Sequence, residues 1–365
     1  MLHLGKRAAV LTAAGVLSAG ALAGCSGSIN TDAVVATIGD EEVTLGVANF
    51  YARMTQGQYE TYYAGMMGMT GEDMWAQEVE EGKNYEQAVK ESIMTDLENM
   101  YIISQHAADY EVSLTEDEQD AILDAAKQFD ELNTDETKEA VSGYRKDIEK
   151  YLELVTIRTK MESKMKEGVD QEVSDEEAAQ KAMRYVYFSF TSTDDEGNAV
   201  DMTDDEKEAL RADAKNLADR VSAGEDMAAV AEEMGQESTD ATFDEEDTAP
   251  NEELIAAVNA FTTEGECTEP IESEGGIYVA QLTSLLDREA TDQEKSNIIA
   301  DRQQEQYDSL LEEWRNATTI EVDEKVWDKV DFNEVGVTIV TPEEETGDSG
   351  STSEDSGTAA EDTAE

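Results

Sequence analysis

Basic residues, histidine, cysteine, proline and aromatic rings are all scarce in this chain. Its 365 residues set 87 Asp and Glu against 26 Lys and Arg, a formal net charge of −61. No basic stripe can survive that excess, so recognition of nucleic acid, which works by releasing counterions to Lys and Arg, is excluded. Two histidines and two cysteines leave little from which to build a zinc site or a catalytic triad, and no G-x-x-x-x-G-K run offers a phosphate loop. Neither a metal nor a cofactor is called for. Three prolines, with aromatics at 6%, argue against a turn-rich β-sandwich. What is abundant (Ala, Glu, Lys, Leu and Met) favours helix. With 39% hydrophobic residues the chain can bury a sizeable core, and its length suits two domains with tails.

The two ends stand apart in composition. Residues 1–24 begin with Lys6-Arg7, continue as an uncharged apolar run and close on Leu22-Ala23-Gly24 before Cys25, the order of a secretory leader. About 16 apolar residues rich in Ala and Gly are short for a membrane span, and Ser26-Gly27-Ser28 opens a flexible tether over 25–33. Leu22-Ala23-Gly24-Cys25 resembles a bacterial lipobox, which implies diacylation of Cys25, cleavage before it, and a protein anchored to the outer face of the membrane. Removing the leader takes away His3 and two bases, which leaves 87 acids against 24 bases, a net charge of −63. His106 is then the only histidine and Cys267 the only free thiol, so no internal disulfide can form. Residues 343–365 hold nine acids, no base and no large apolar side chain. Nothing there repays the entropy of ordering, and a solvated acidic tail is expected.

Between the ends the hydrophobic period changes. Val34–Ile38 and Val43–Leu45 read as two short strands around a turn. Helices are expected over about 47–63, 85–108, from the capping box Thr115-x-x-Glu118 to about 129, and over 139–167. At Arg184 the pattern becomes β, through Tyr185–Phe190. A second capping box, Thr203-x-x-Glu206, opens a helix that stops at Gly224, and shorter helices follow near 227–234 and 253–261. The acidic stretch 236–253 reads as a loop. Ile277–Leu282 is a strand, a third box at Thr291-x-x-Glu294 opens a long polar helix, and 318–322 is a last strand candidate.

The run Arg184-Tyr185-Val186-Tyr187-Phe188, then 218–227 (ADRVSAGEDM), 261–271 (FTTEGECTEPI) and 276–282 (GIYVAQL) resemble, in that order, the elements of a parvulin peptidyl-prolyl isomerase domain. The opening IGDEEVT at 38–44 and the helices after it resemble the chaperone domain of extracytoplasmic foldases of the PrsA and SurA type. The resemblance implies an α+β fold: a mostly helical SurA-like chaperone domain, built from an N-terminal part (34–175) and a returning C-terminal helix and strand (287–335), with a parvulin-like α/β domain (181–286) inserted between them. It implies that residues 318–322 pair with the strand at 34–38, and that the partners are unfolded or translocating secreted polypeptides. Prolyl isomerisation is the activity implied. Parvulins, however, hold two histidines at positions that are Tyr185 and Tyr278 here, the only mature histidine lies in the other domain, and the glycines and aromatic ring of the proline pocket are missing. Cys267 reads as packing. Since rotating a prolyl peptide bond needs desolvation and polarisation of a carbonyl rather than a nucleophile, two Tyr hydroxyls keep a weak activity open.

Client binding does not depend on those histidines. Met54, Met66, Met67, Met69 and Met74 alternate with Tyr62, Tyr63 and further rings, and glycines loosen the backbone. Flexible thioethers and amphipathic rings suit a surface for many sequences, and a Met-rich segment closing the helical core is the plainer reading. The competing function is a non-enzymatic solute-binding or envelope interaction lipoprotein. That would require two doubly wound lobes, and the first half lacks the strands.

Overall fold

The computed structural model describes residues 16–21, 29–193 and 197–340. Cys25, expected as the lipidation site, and the acidic tail therefore lie outside the described residues. The chain divides into two units, one formed by residues 1–167 and 306–365 and the other by 168–305.

The first unit begins with strand β1 (Val16–Ala21), then β2 (Val34–Ile38) and β3 (Glu41–Thr44). Gly39, at φ +60°, makes the left-handed step of the β2–β3 turn that a side chain would strain. Helix α1 (Leu45–Gln58) opens on Thr44, whose hydroxyl accepts from the Val47 amide, and runs into a π-helical stretch at Tyr59–Ala64. Next come α2 (Tyr85–Gln105), α3 (Glu116–Leu132), α4 (Asp135–Val141) and α5 (Arg145–Met165). Thr115 and Glu118 form the expected capping box at α3. The helix expected over 139–167 is instead two. Ser142 takes a left-handed conformation at φ 54°, and a Cβ on Gly143 would lie 2.5 Å from the Phe129 ring, so the chain turns beneath that ring.

The second unit holds β4 (Lys181–Ser189), α6 (Asp204–Ser222), α7 (Met227–Glu233), β5 (Ser238–Phe243), α8 (Glu252–Asn259), β6 (Ile271–Ser273) and β7 (Gly276–Ser284). Its four-stranded antiparallel sheet has the order β6-β7-β4-β5. The acidic stretch expected as a loop thus supplies an edge strand, because Asp240 sits opposite Arg184 and Phe243 is fully buried. Val186, Phe188, Ile277 and Val279 pack on one side with α6 and α7. Met183, Ala280 and Leu282 pack on the other with Leu254, Ile255 and Val258 of α8. Both faces are covered, which is the layering that lets so small a sheet bury a core.

Helix α9 (Arg288–Ala317) starts three residues before the expected box. Thr291 is fully buried, and its hydroxyl accepts from the Gln180 amide at 3.2 Å instead of capping its own helix. Within α9, from Gln306 on, the chain re-enters the first unit. There β8 (Ile320–Val322) pairs antiparallel with β2, Ile320 opposite Ile38, as the foldase resemblance implies, and β9 (Val335–Val340) pairs with β1.

The return is fixed by one buried cation. The Arg53 guanidinium, 2% exposed, donates to Gln56 Oε1 at 2.7 Å, to the Asp331 carbonyl at 2.9 Å and to the Val335 carbonyl at 3.3 Å. Burial lowers its pKa to about 10, which still leaves it charged at neutral pH. The π-helical stretch turns Glu60 inward: its carboxylate accepts from Gln56 Nε2, from the Trp75 indole at 2.9 Å and from the Val337 amide at 2.7 Å.

Candidate functional site

Tyr185 and Tyr278, far apart in sequence, meet on one face of the second unit's sheet. On an antiparallel pair, residues directly opposite share a face, and so do residues two apart on one strand. Tyr278 faces Tyr187 across β7–β4, and Tyr185 is opposite Ala280. Three rings therefore form a row: Tyr187 to Tyr278 with centroids 4.5 Å apart, and Tyr185 to Tyr278 at 6.0 Å. Sequence reasoning did not single out Tyr187. The period of two along β4 puts it beside Tyr185, and that signal could have found it.

The row rests on tight backbone. A Cβ on Gly275 would approach the Tyr187 hydroxyl to 2.8 Å, and one on Gly276 would meet the same ring at 2.7 Å, so the Gly-Gly pair leaves the space that Tyr187 occupies. Beneath lie Phe243, Leu254, Ile255 and Val258, all buried, with Phe261 and Ile271 partly so. The Tyr278 hydroxyl donates to the Pro250 carbonyl at 3.5 Å. Desolvation, followed by the neighbouring Tyr187 and Tyr185, raises the Tyr278 pKa. It stays a neutral donor at physiological pH, able to polarise a carbonyl and unable to act as a base. Arg184, which opens the motif, is held by Asp240 through a two-point pair at 2.7 and 2.8 Å.

Cys267 lies among the residues packed with α6 and α7, behind the sheet from these rings. Burial raises its thiol to about 11. It is protonated at neutral pH and is no nucleophile. His106 follows α2 in the first unit, with its ring stacked on Trp314 at 4.2 Å and its Nδ1 3.3 Å from Asp109 Oδ2. Among the described residues no group of His, Cys, Asp and Glu gathers to hold a metal ion.

The methionine-rich segment divides. Met54 and Met74, expected with the client surface, are 8% and 0% exposed and belong to the core, because α1 and the short helix Gly71–Trp75 present them to buried neighbours. Met69 is half-buried, and its sulfur accepts from Gln77 Nε2 at 3.3 Å. Tyr62, Tyr63 and Met66 are exposed at 58, 49 and 77%; the side chain of Met67 is outside the described residues. Glu60, turned inward, and Tyr62 and Tyr63, turned outward, follow from the π-helical register. Such single-turn widenings recur at functional sites.

Comparison with known proteins places the second unit. Residues 176–295 match the family model described as a PPIC-type PPIase domain. Among solved structures, the foldase PrsA of Lactococcus lactis is 13% identical, over 82% of this chain and 98% of that one, with a TM-score of 0.34. PrsA of Streptococcus pneumoniae is 16% identical, over 71% and 99%, at 0.29. A SurA-like chaperone structure from Campylobacter jejuni is 10% identical, over 80% and 99%, at 0.27. No curated protein matches the chain. Residues 176–295 thus match a PPIC-type PPIase domain, the parvulin type, and lie in sequence between the two flanks that together form the first unit.

Proposed function

We propose that this protein is a lipid-anchored extracytoplasmic folding factor, which holds unfolded secreted chains and carries a parvulin domain of little catalytic power. The observation that supports it most is the PPIC-type domain inserted between the two parts of a helical unit. The PrsA and SurA-like structures it is similar to are named as foldases and chaperones. The leader and Cys25 supply the anchor in this reading, and among the described residues no helix is long and apolar enough to cross a membrane.

Isomerase turnover requires lowering a barrier of about 20 kcal/mol. The tyrosine row offers an apolar floor for a prolyl ring and neutral hydroxyl donors for its carbonyl, but no imidazole. Such an arrangement supports desolvation and weak polarisation. Holding does not need either Tyr. The exposed Tyr62, Tyr63 and Met66 offer adaptable contacts, and the acidic exterior keeps a protein that carries apolar clients soluble.

The test pairs a protease-coupled proline-peptide assay with suppression of aggregation of an unfolded protein, using the full chain with Cys25→Ser. The expected result is suppression near equimolar ratio with little or no turnover. Absence of both activities refutes the folding-factor reading.

A further inference from the structure

The apolar centre of the leader forms a strand of the fold. β1 runs antiparallel to β9, from Val16 opposite Val340 to Ala21 opposite Val335. Leu17 is 4% exposed among Phe50, Phe129, Val141, Ile148 and Leu152, and its amide donates to Asn133 Oδ1 at 2.7 Å. The far edge of β9 is held by side chains alone: Glu60 accepts from the Val337 amide and Thr61 from the Ile339 amide, the latter at 2.8 Å. Backbone groups alternate between the edges of a strand. Those of Gly336 and Thr338 therefore turn toward β1, and so do those of Val16, Ser18 and Gly20 toward β9.

Cleavage before Cys25 removes β1 and leaves β9 with an unpaired edge beside a slot the size of one leucine side chain. An open edge next to an apolar pocket is the geometry that captures an added strand. The leader shows what fits: an extended, uncharged run in which one aliphatic side chain enters the slot while Ser, Ala and Gly follow it. The net charge of −61 disfavours an acidic segment in its place.

We propose that in the processed protein this groove takes an extended apolar segment of an unfolded client, which adds as a strand to β9 with an aliphatic side chain in the Leu17 slot. In the precursor the leader then occupies this groove and keeps it closed, while the exposed Tyr62, Tyr63 and Met66 stay accessible for holding. The proposal rests on the folding-factor reading and on removal of the leader.

The experiment uses the full chain with Cys25→Ser and a specific protease site placed within 22–28, compared before and after cleavage. The probe is a fluorescein-labelled peptide of residues 14–22, followed by anisotropy, with reduced and carbamidomethylated lysozyme, a basic chain, as an unfolded competitor. The expected result is one-to-one binding to the cleaved chain alone, displaced by the competitor and weakened at least about tenfold by N-methylation at Ser18 or by Leu17→Asp in the peptide. Peptide that does not bind, or that the competitor does not displace, overturns the proposal. So does loss of the helical circular dichroism on cleavage, which makes β1 a permanent strand. If the peptide fails while the cleaved chain still suppresses aggregation, the groove falls and the folding-factor reading stands; if both fail, that reading falls with it.

Discussion

Asp147 is the residue at which burial and charge conflict most openly. It is 2% exposed, its Oδ2 has no hydrogen-bond partner among the described residues, and a Cβ on Gly46 would lie 2.4 Å from its Oδ1. Desolvation lifts its pKa to about 6, against a smaller lowering by Lys146. A carboxyl raised in the folded state releases its proton first in the unfolded chain. Stability therefore falls as pH rises from about 4 to about 6, and the penalty is complete above that window. Asp147→Asn is expected to gain about 2 kcal/mol over the parent at pH 7, with the gain vanishing toward pH 4; urea unfolding at several pH values checks this. The tyrosine row gives a second prediction. Any turnover that Tyr278 supports by donating to a carbonyl falls at least about tenfold in Tyr278→Phe, while suppression of aggregation stays unchanged. Both tyrosines were legible from the order of the parvulin-like motifs. The ring of Tyr187 on the far side of Tyr278 was not, since no single position announces a stack that exists only once β4 and β7 pair.

At the scale of elements, local chemistry could be read wherever it was self-sufficient. The capping boxes at Thr115 and Thr203 form as their spacing dictates, and the strand at 34–38 follows from its β-branched run before the Gly39 turn. Readings failed where a distant partner decides. Thr291 has the sequence of a cap, yet Gln180 takes its hydroxyl. The strand at 238–243 has Thr239, Thr242 and Phe243 as its strand formers, but it sits in an acidic stretch and is fixed only when Arg184 and the buried face of β4 recruit it. The break between α4 and α5 follows from the ring of Phe129 above Gly143. Gly143→Ala is accordingly expected to displace that ring and to cost about 1–3 kcal/mol, measured by urea unfolding. Arg53→Ala leaves the Asp331 carbonyl without its donor and the Val335 carbonyl with only Gln56 Nε2, at 2.6 Å. It should cost about 3 kcal/mol and loosen the β9 segment, seen as faster amide exchange at 335–339.

For the whole molecule, the insertion and the charge belong together. A chain that leaves its helical unit after residue 167 and re-enters it at 306 commits both flanks to one core, and the sequence shows this only through the resemblance, because no composition rule links 34–38 to 320–322. The acidic excess is read directly. Among the described residues it lies mainly on exposed side chains of helices and loops, such as Glu116, Asp117, Asp204 and Glu245, so it governs partners rather than fold. Binding of a basic unfolded client is expected to weaken between about 20 and 500 mM salt as the charges are screened, while an uncharged apolar client is held equally at both. Light scattering at the two salt concentrations separates them.

The central claim is that holding of unfolded chains resides outside the tyrosine row of the parvulin insert. Its most direct measurement is light scattering from a denatured protein diluted into the full chain with Cys25→Ser, beside the same chain carrying Tyr185→Phe and Tyr278→Phe. The account predicts equal suppression near equimolar ratio for both proteins. Scattering undiminished by either, or suppression lost with the two hydroxyls, would contradict it.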